Sequence, residues 1–141
     1  ALLAAEGITF CYHNHHWEFF PLAGGLRGMD LLLENTDPAL VKCCLDVFWL
    51  ACAGEDPAAF VARHADRGAT FHFKDGRFDP VAQKPLGFTE LGRGDVPLAA
   101  AAAAVKALSP AWVATEQDST EIDPAESAAI SARYARQVLG I

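Results

Sequence analysis

Residues 41–74, VKCCLDVFWLACAGEDPAAFVARHADRGATFHFK, read as strand, helix and strand, and that reading decides the fold. Val41–Phe48 is an apolar run with Lys42 as the only charge before Asp46, as expected of a strand covered on both faces. Asp56-Pro57-Ala58 places an aspartate cap before a proline at the first helical position, which predicts a helix to about Arg67. Gly68 stands where glycine ends helices. Ala69–Lys74 then resumes a strand pattern.

The same alternation continues on either side. Ile8–Tyr12 follows Gly7 and reads as a strand, and Leu26–Glu34 as a short helix behind Gly24 and Gly25. Pro97 opens an alanine-rich helix to Leu108, and Trp112–Thr115 is a fourth strand. Asp123-Pro124-Ala125-Glu126 caps a last helix running to about Leu139. Four strands alternating with four helices imply an α/β fold with parallel strands and right-handed crossovers. Periodicity alone leaves an open doubly wound sheet and part of a barrel as alternatives. Residues 75–95 make a connection far longer than usual, and such loops are often functional.

A chain of 141 residues is enough for one domain and too short for two. Apolar residues at 52%, charged residues at 21% and a mean hydropathy of +0.15 argue against disorder. The net charge of −7, with 11 scattered Lys and Arg, excludes a nucleic-acid or anionic-membrane surface. No apolar run approaches the ~20 residues of a membrane span, and no signal-peptide pattern opens the chain. Cys11, Cys43, Cys44 and Cys52 form no C-x-x-C pair, so reduced core thiols and a cytoplasmic location are expected. The chain opens Ala1-Leu2-Leu3 and has Met29 as its one methionine, which fits a stretch cut from something longer.

Polar residues break the strand pattern at the C-terminal strand ends. The first strand ends Tyr12-His13-Asn14-His15-His16-Trp17-Glu18, the second Leu45-Asp46-Val47-Phe48-Trp49, the third Phe71-His72-Phe73-Lys74-Asp75 and the fourth Thr115-Glu116-Gln117-Asp118. Ligands bind at that edge of α/β sheets because the following loops converge there. Singly, each residue also fits a core histidine or a turn aspartate. One imidazole or carboxylate per strand at a common height is what a shared metal site needs.

Five strings carry a family resemblance in order along the chain: YHNHHWEF (12–19), LDVFW (45–49), FHFKDG (71–76), LGRGDV (91–96) and ATEQD (114–118). Together they resemble the sugar phosphate isomerase/epimerase family, whose fold is the xylose isomerase-like TIM barrel, a (β/α)8 architecture. The resemblance implies a divalent ion (Mn²⁺, Co²⁺, Zn²⁺ or Mg²⁺) held by Glu, Asp, His and Glu from the last four barrel strands. Asp46, His72 and Glu116 match three of these positions. At the first, this chain has His13, preferred here to His15 as the ligand.

That departure bears on the chemistry the resemblance implies. Family epimerases use two metal-bound glutamates on opposite faces of the substrate, and only Glu116 remains of that pair. The expected activity is that of a divalent-metal-dependent isomerase or epimerase acting on a sugar, sugar phosphate or polyol-derived ketone through a metal-stabilised enediolate. Glu116 is the expected base and Lys74 the expected partner of the oxyanion; a one-base reaction fits better than a two-base epimerisation. His15, Glu18, Trp49 and Arg77 are the expected substrate contacts. Two alternatives stand beside this: a lyase resembling inosose dehydratase, whose relatives share a His-rich string at 12–16, and a truncated, non-catalytic barrel fragment that at most binds metal.

Only the last four of eight β/α units are matched, so residues 1–141 are expected to be the C-terminal half of a barrel that needs ~250 residues. Ala1–Glu6 reads as the tail of a preceding helix. Four parallel strands cannot close, so a second copy or the missing N-terminal half is the expected protein partner. The expected small-molecule partner is a sugar or polyol. The GRGD segment (92–95) lacks the strand-to-helix context of a dinucleotide fingerprint, which argues against nicotinamide chemistry.

Overall fold

The computed structural model of the protein describes residues 1–110 and 112–141. Helix α1 (Leu2–Ala5) precedes strand β1 (Phe10–His13), and helix α2 (Gly28–Glu34) precedes β2 (Val41–Asp46). Helices α3 (Val47–Cys52) and α4 (Pro57–Arg63) lead to β3 (Gly68–Phe73). A hairpin of β4 (Asp75–Asp79) and β5 (Lys84–Thr89) comes before helix α5 (Leu98–Ala107). Strand β6 (Trp112–Thr115) and helix α6 (Pro124–Tyr134), extended by a π-helical turn at Ala135–Leu139, complete the order.

Strands β1, β2, β3 and β6 form one parallel sheet in that order, the α/β arrangement that the strand–helix alternation predicts. Alternation along each strand sends Cys43, Leu45, Phe71 and Phe73 to the helix side, where all four are fully buried. They pack with Phe48, Phe60, Val61 and Val105, and the small Ala101 and Ala102 of α5 belong to the same core. The opposite face carries His13, Cys44, Asp46, Thr70 and His72. Neither β1 nor β6 has a partner on its outer side among the described residues, and Phe10 (44% exposed) and Trp112 (73% exposed) stand open there. All four cysteines are unbridged, and burial pushes the thiols of Cys43 and Cys52 up to about 11. Among the described residues, no helix is long and apolar enough to cross a membrane.

Several element bounds differ from the sequence expectation, each for a local reason. The expected strand Val41–Phe48 stops at Asp46, whose Oδ1 accepts from the backbone N–H groups of Phe48 (3.0 Å) and Trp49 (3.1 Å) and so caps α3. An unbroken apolar run such as Val47–Cys52 fits a strand and a buried helix equally, and the cap decides between them. Helix α4 ends at Arg63 rather than Arg67. Arg67 is instead buried, and its guanidinium donates to the carbonyls of Leu33 (2.9 Å) in the last turn of α2 and of Thr36 (3.2 Å) just past its end. Gly68 opens β3 without the positive φ of a helix-ending glycine, and glycine is needed there because a Cβ would meet the Phe71 ring at 2.8 Å. The first strand begins at Phe10, since pairing with β2 starts from Val41 and leaves Ile8 and Thr9 outside the ladder.

The segment 75–95 is a folded hairpin followed by a tight loop. Asp75 is buried, and its carboxylate accepts from the backbone N–H groups of Gly76 (2.9 Å), Gly92 (2.9 Å), Gly94 (3.0 Å) and Val96 (3.2 Å). The GRGD loop is thus wrapped around a carboxylate of its own chain, and a side chain at Gly94 would collide with Asp75. Asp75→Ala removes one charged acceptor and strands several donors. The expected cost is about 3 kcal/mol in chemical denaturation. A loss below about 1 kcal/mol would show that the loop is held elsewhere.

Candidate metal centre

The strand register gathers the polar strand ends. His13 lies opposite Cys44, Asp46 opposite His72, and the Glu116 N–H continues the ladder by donating to the Phe73 carbonyl at 3.0 Å. His13, Asp46, His72 and Glu116 each offer a ligand atom, and these atoms all lie within 4.8 Å of one another. His13 Nε2 is 3.3 Å from Asp46 Oδ2, while His72 Nδ1 is 3.9 Å from that oxygen and 3.7 Å from Glu116 Oε2. Two ligands on one tetrahedral ion with bonds near 2.1 Å lie about 3.4 Å apart, so these separations suit a shared ion.

The electrostatics fit the same use. His72 Nδ1 is buried without a hydrogen-bond partner, facing two carboxylates across gaps too long for hydrogen bonds. Burial, and then the neighbouring His13, hold the His72 pKa below its usual value, which favours the neutral imidazole a metal ligand needs. A donor set of two imidazoles and two carboxylates accepts the first-row divalent ions and Mg²⁺.

Lys74 sits at the centre of the negative charge. Its ammonium is 2.5 Å from Glu116 Oε2, 3.1 Å from Asp118 Oδ2 and 3.5 Å from Asp46 Oδ2, and its side chain is 1% exposed. Burial works against its charge, but Asp46, Glu116 and Asp118 outweigh that and raise its pKa above the usual lysine value. The same ammonium lies 5.0 Å from the Trp49 ring and 5.5 Å from the Phe88 ring, within cation–π range.

The remaining predicted residues divide. His15 stacks on Trp17 at 4.1 Å and meets the His13 ring edge-on at 4.8 Å, beside the four-residue group but not part of it. His16 stacks on Trp49 at 4.9 Å, so that Trp49, with Phe88 against it, forms an aromatic wall next to Lys74. Glu18 is buried with both oxygens engaged, by the Tyr12 hydroxyl at 2.8 Å and the His15 N–H at 2.9 Å. Its place is that of an anchor for the loop carrying His15, and burial together with that bond pushes the Tyr12 hydroxyl up to about 12. Arg77 pairs with Asp95 on the hairpin, and the structure does not bring it to the cluster.

Three residues outside the sequence-predicted set belong to the site. Asn14 is fully buried and its Oδ1 accepts from the Asp46 N–H at 2.9 Å, which locks the end of β2 to the end of β1. Asp118, two residues beyond Glu116 in the segment after β6, pairs with Lys74. Cys44 lies two residues before Asp46 on the same face, under the two histidines. A cavity of about 460 Å³ opens beside Glu116 between the segment after β6 and α6, lined by Gln117, Thr120 and Ser127 among others.

The Xylose isomerase-like TIM barrel family model matches residues 1–138. An inosose dehydratase from Lactiplantibacillus plantarum is 30% identical, with the match covering 98% of this chain and 50% of that protein. One from Halalkalibacterium halodurans is 34% identical over 55% of this chain and 24% of its own length. The crystal structure of a sugar phosphate isomerase/epimerase from Parabacteroides distasonis superposes with a TM-score of 0.79 at 26% identity, covering 97% of this chain and 49% of that one. The chain therefore spans half or less of the length of these relatives.

Proposed function

The chain belongs to the xylose isomerase-like TIM barrel family, and from that premise we propose that it carries the ion-binding part of a divalent-metal-dependent enzyme. The reaction begins by removing a proton next to the carbonyl of a sugar, sugar phosphate or polyol-derived ketone. The observation supporting this reading is the convergence of His13, Asp46, His72 and Glu116 from four neighbouring parallel strands. In this reading residues 1–141 are the last four units of the barrel, and the substrate's remaining wall comes from strands that cover its two open edges.

A bound ion supplies polarisation of the substrate carbonyl and its neighbouring hydroxyl. The chain's own residues do the rest. Glu116 accepts the proton, with its carboxylate fixed in place by Lys74 at 2.5 Å. Asp46 cannot swing away, because its other oxygen caps α3. His16, backed by the buried Trp49 on which it stacks, offers a flat surface to the C–H face of a ring or chain. Isomerisation follows when Glu116 returns the proton to the former carbonyl carbon and the neighbouring hydroxyl gives its proton to the former carbonyl oxygen.

A second reading is dehydration, in which loss of the same proton is followed by departure of a neighbouring hydroxyl as water. Two points favour it: the curated relatives are named inosose dehydratases, and residue 13 is a histidine where the family resemblance implies the second glutamate that a two-base epimerisation would use. Incubating Mn²⁺-loaded protein with ketoses and inososes in D₂O tests the step common to both. Deuterium on the carbon next to the carbonyl is expected, and Glu116→Gln should abolish it. No exchange with any of these substrates would remove the proposal, and a product lighter by one water would select dehydration.

A further inference from the structure

Beneath the four-residue centre the same face holds a thiol. His13 and Cys44 are register partners, and Cys44 lies one inward-facing position below Asp46 on β2. His13, Cys44 and His72 each offer a ligand atom, again all within 4.8 Å of one another. Cys44 is buried and unbridged, with the Thr70 side chain as a hydrogen-bonding neighbour on the same face.

We propose that His13, Cys44 and His72 form a second position for a divalent ion, deeper in the cleft than the first and selective for thiophilic ions such as Zn²⁺ or Cd²⁺. Both positions use the two histidines, so a single ion occupies one or the other. The donor chemistry separates them. Carboxylates suit Mg²⁺ and Mn²⁺, whereas imidazole with thiolate suits Zn²⁺ and softer ions. The cationic Lys74 separates them too. Its ammonium is paired with Asp46 and Glu116 of the upper set and with none of the lower three residues. An ion in the lower position leaves those pairs intact, and it also leaves Glu116 without metal beside it. Zn²⁺ and Cd²⁺ accordingly act as occupants that withdraw the histidines from the upper centre, and binding releases the Cys44 thiol proton to solvent.

The lower position uses neither carboxylate, so it stands or falls separately from the proposed reaction. Titrating the reduced protein with Co²⁺ and Cd²⁺ under anaerobic conditions reads the thiolate directly, as a sulfur-to-metal charge-transfer band in the ultraviolet. The band is expected in the wild type, retained in Glu116→Gln and in Cys11→Ser, and lost in Cys44→Ser. In the unaltered protein, Zn²⁺ but not Mg²⁺ should protect Cys44 from alkylation as read by mass spectrometry, a measurement that needs no variant to fold. Co²⁺ uptake without the band, a band that survives in Cys44→Ser, or equal alkylation with and without Zn²⁺ would each overturn the lower position while leaving the upper one untouched. A protein that takes up neither ion overturns both.

Discussion

Replacing Asp46 with asparagine is expected to lower Mn²⁺ affinity by ~100-fold or more while the protein stays folded, since changes even to the partners of metal ligands cost 10–100-fold. The reasoning rests on the division of labour between its two oxygens. Oδ1 accepts from two N–H groups at the start of α3, and asparagine caps helices as well as aspartate does. Oδ2 faces His13 at 3.3 Å and His72 at 3.9 Å, and an amide there removes the charge that attracts an ion. Asp46→Ala loses both functions, so it should show the same fall in affinity plus about 1–2 kcal/mol of lost stability from the vacant cap. Equilibrium dialysis with Mn²⁺ and urea denaturation of both variants separate the two effects. An asparagine variant that binds Mn²⁺ as the parent does would remove Asp46 from the ligand set.

The double duty of Asp46 also explains what the sequence made legible. The strand–helix alternation could be read because Asp56-Pro57 and Asp123-Pro124 are caps of unmistakable chemistry, and both aspartates do accept from the following N–H groups. Asp46 is a cap as well, but it precedes Val47-Phe48-Trp49 instead of a proline, so the apolar run reads as more strand. The cap bonds to Phe48 and Trp49, with packing of Phe48 against Phe78 and Phe88 on the hairpin, mark it as a buried helix. The hairpin itself was hidden because its strand β5, Lys84–Thr89, contains Pro85 and Gly87, which disfavour a strand assignment.

At the centre, the residue types and their position at the strand ends were readable, since each strand end brings one imidazole or carboxylate to the same edge. The positions of Lys74 and Asp118 relative to them were not. A lysine two residues beyond His72 reads equally as a solvated tip or a buried counter-charge, and the registers of β3 against both β2 and β6 bring it between three carboxylates. Glu18 shows the opposite case. Its place in the HHWE string suggested contact with substrate, whereas Tyr12, six residues earlier, takes one of its oxygens and the backbone of His15 the other.

Lys74→Met is expected to destabilise the metal-free protein by about 2 kcal/mol, and that loss should shrink when Mn²⁺ is added. Removing one partner of a buried ion pair costs 3–5 kcal/mol; the lower figure applies because Glu116 and Asp118 are a third or more open to solvent, which screens them. Without the ammonium, Asp46, Glu116 and Asp118 face one another with no counter-charge, and a divalent ion becomes the best remaining cation for two of them. Mn²⁺ affinity should therefore rise, since the ion no longer competes with Lys74 for Asp46 and Glu116. Deuterium exchange should fall, because Glu116 is no longer fixed in place. The pH dependence carries the same signature. The folded-state pKa of Lys74 is raised above 10.5, so its contribution is complete below that value and is lost as pH rises through the raised pKa. The parent should lose stability on the alkaline side where the methionine variant does not. A variant that is equally stable with and without Mn²⁺, and whose Mn²⁺ affinity is unchanged, would mean that Lys74 is not the cation holding these carboxylates together.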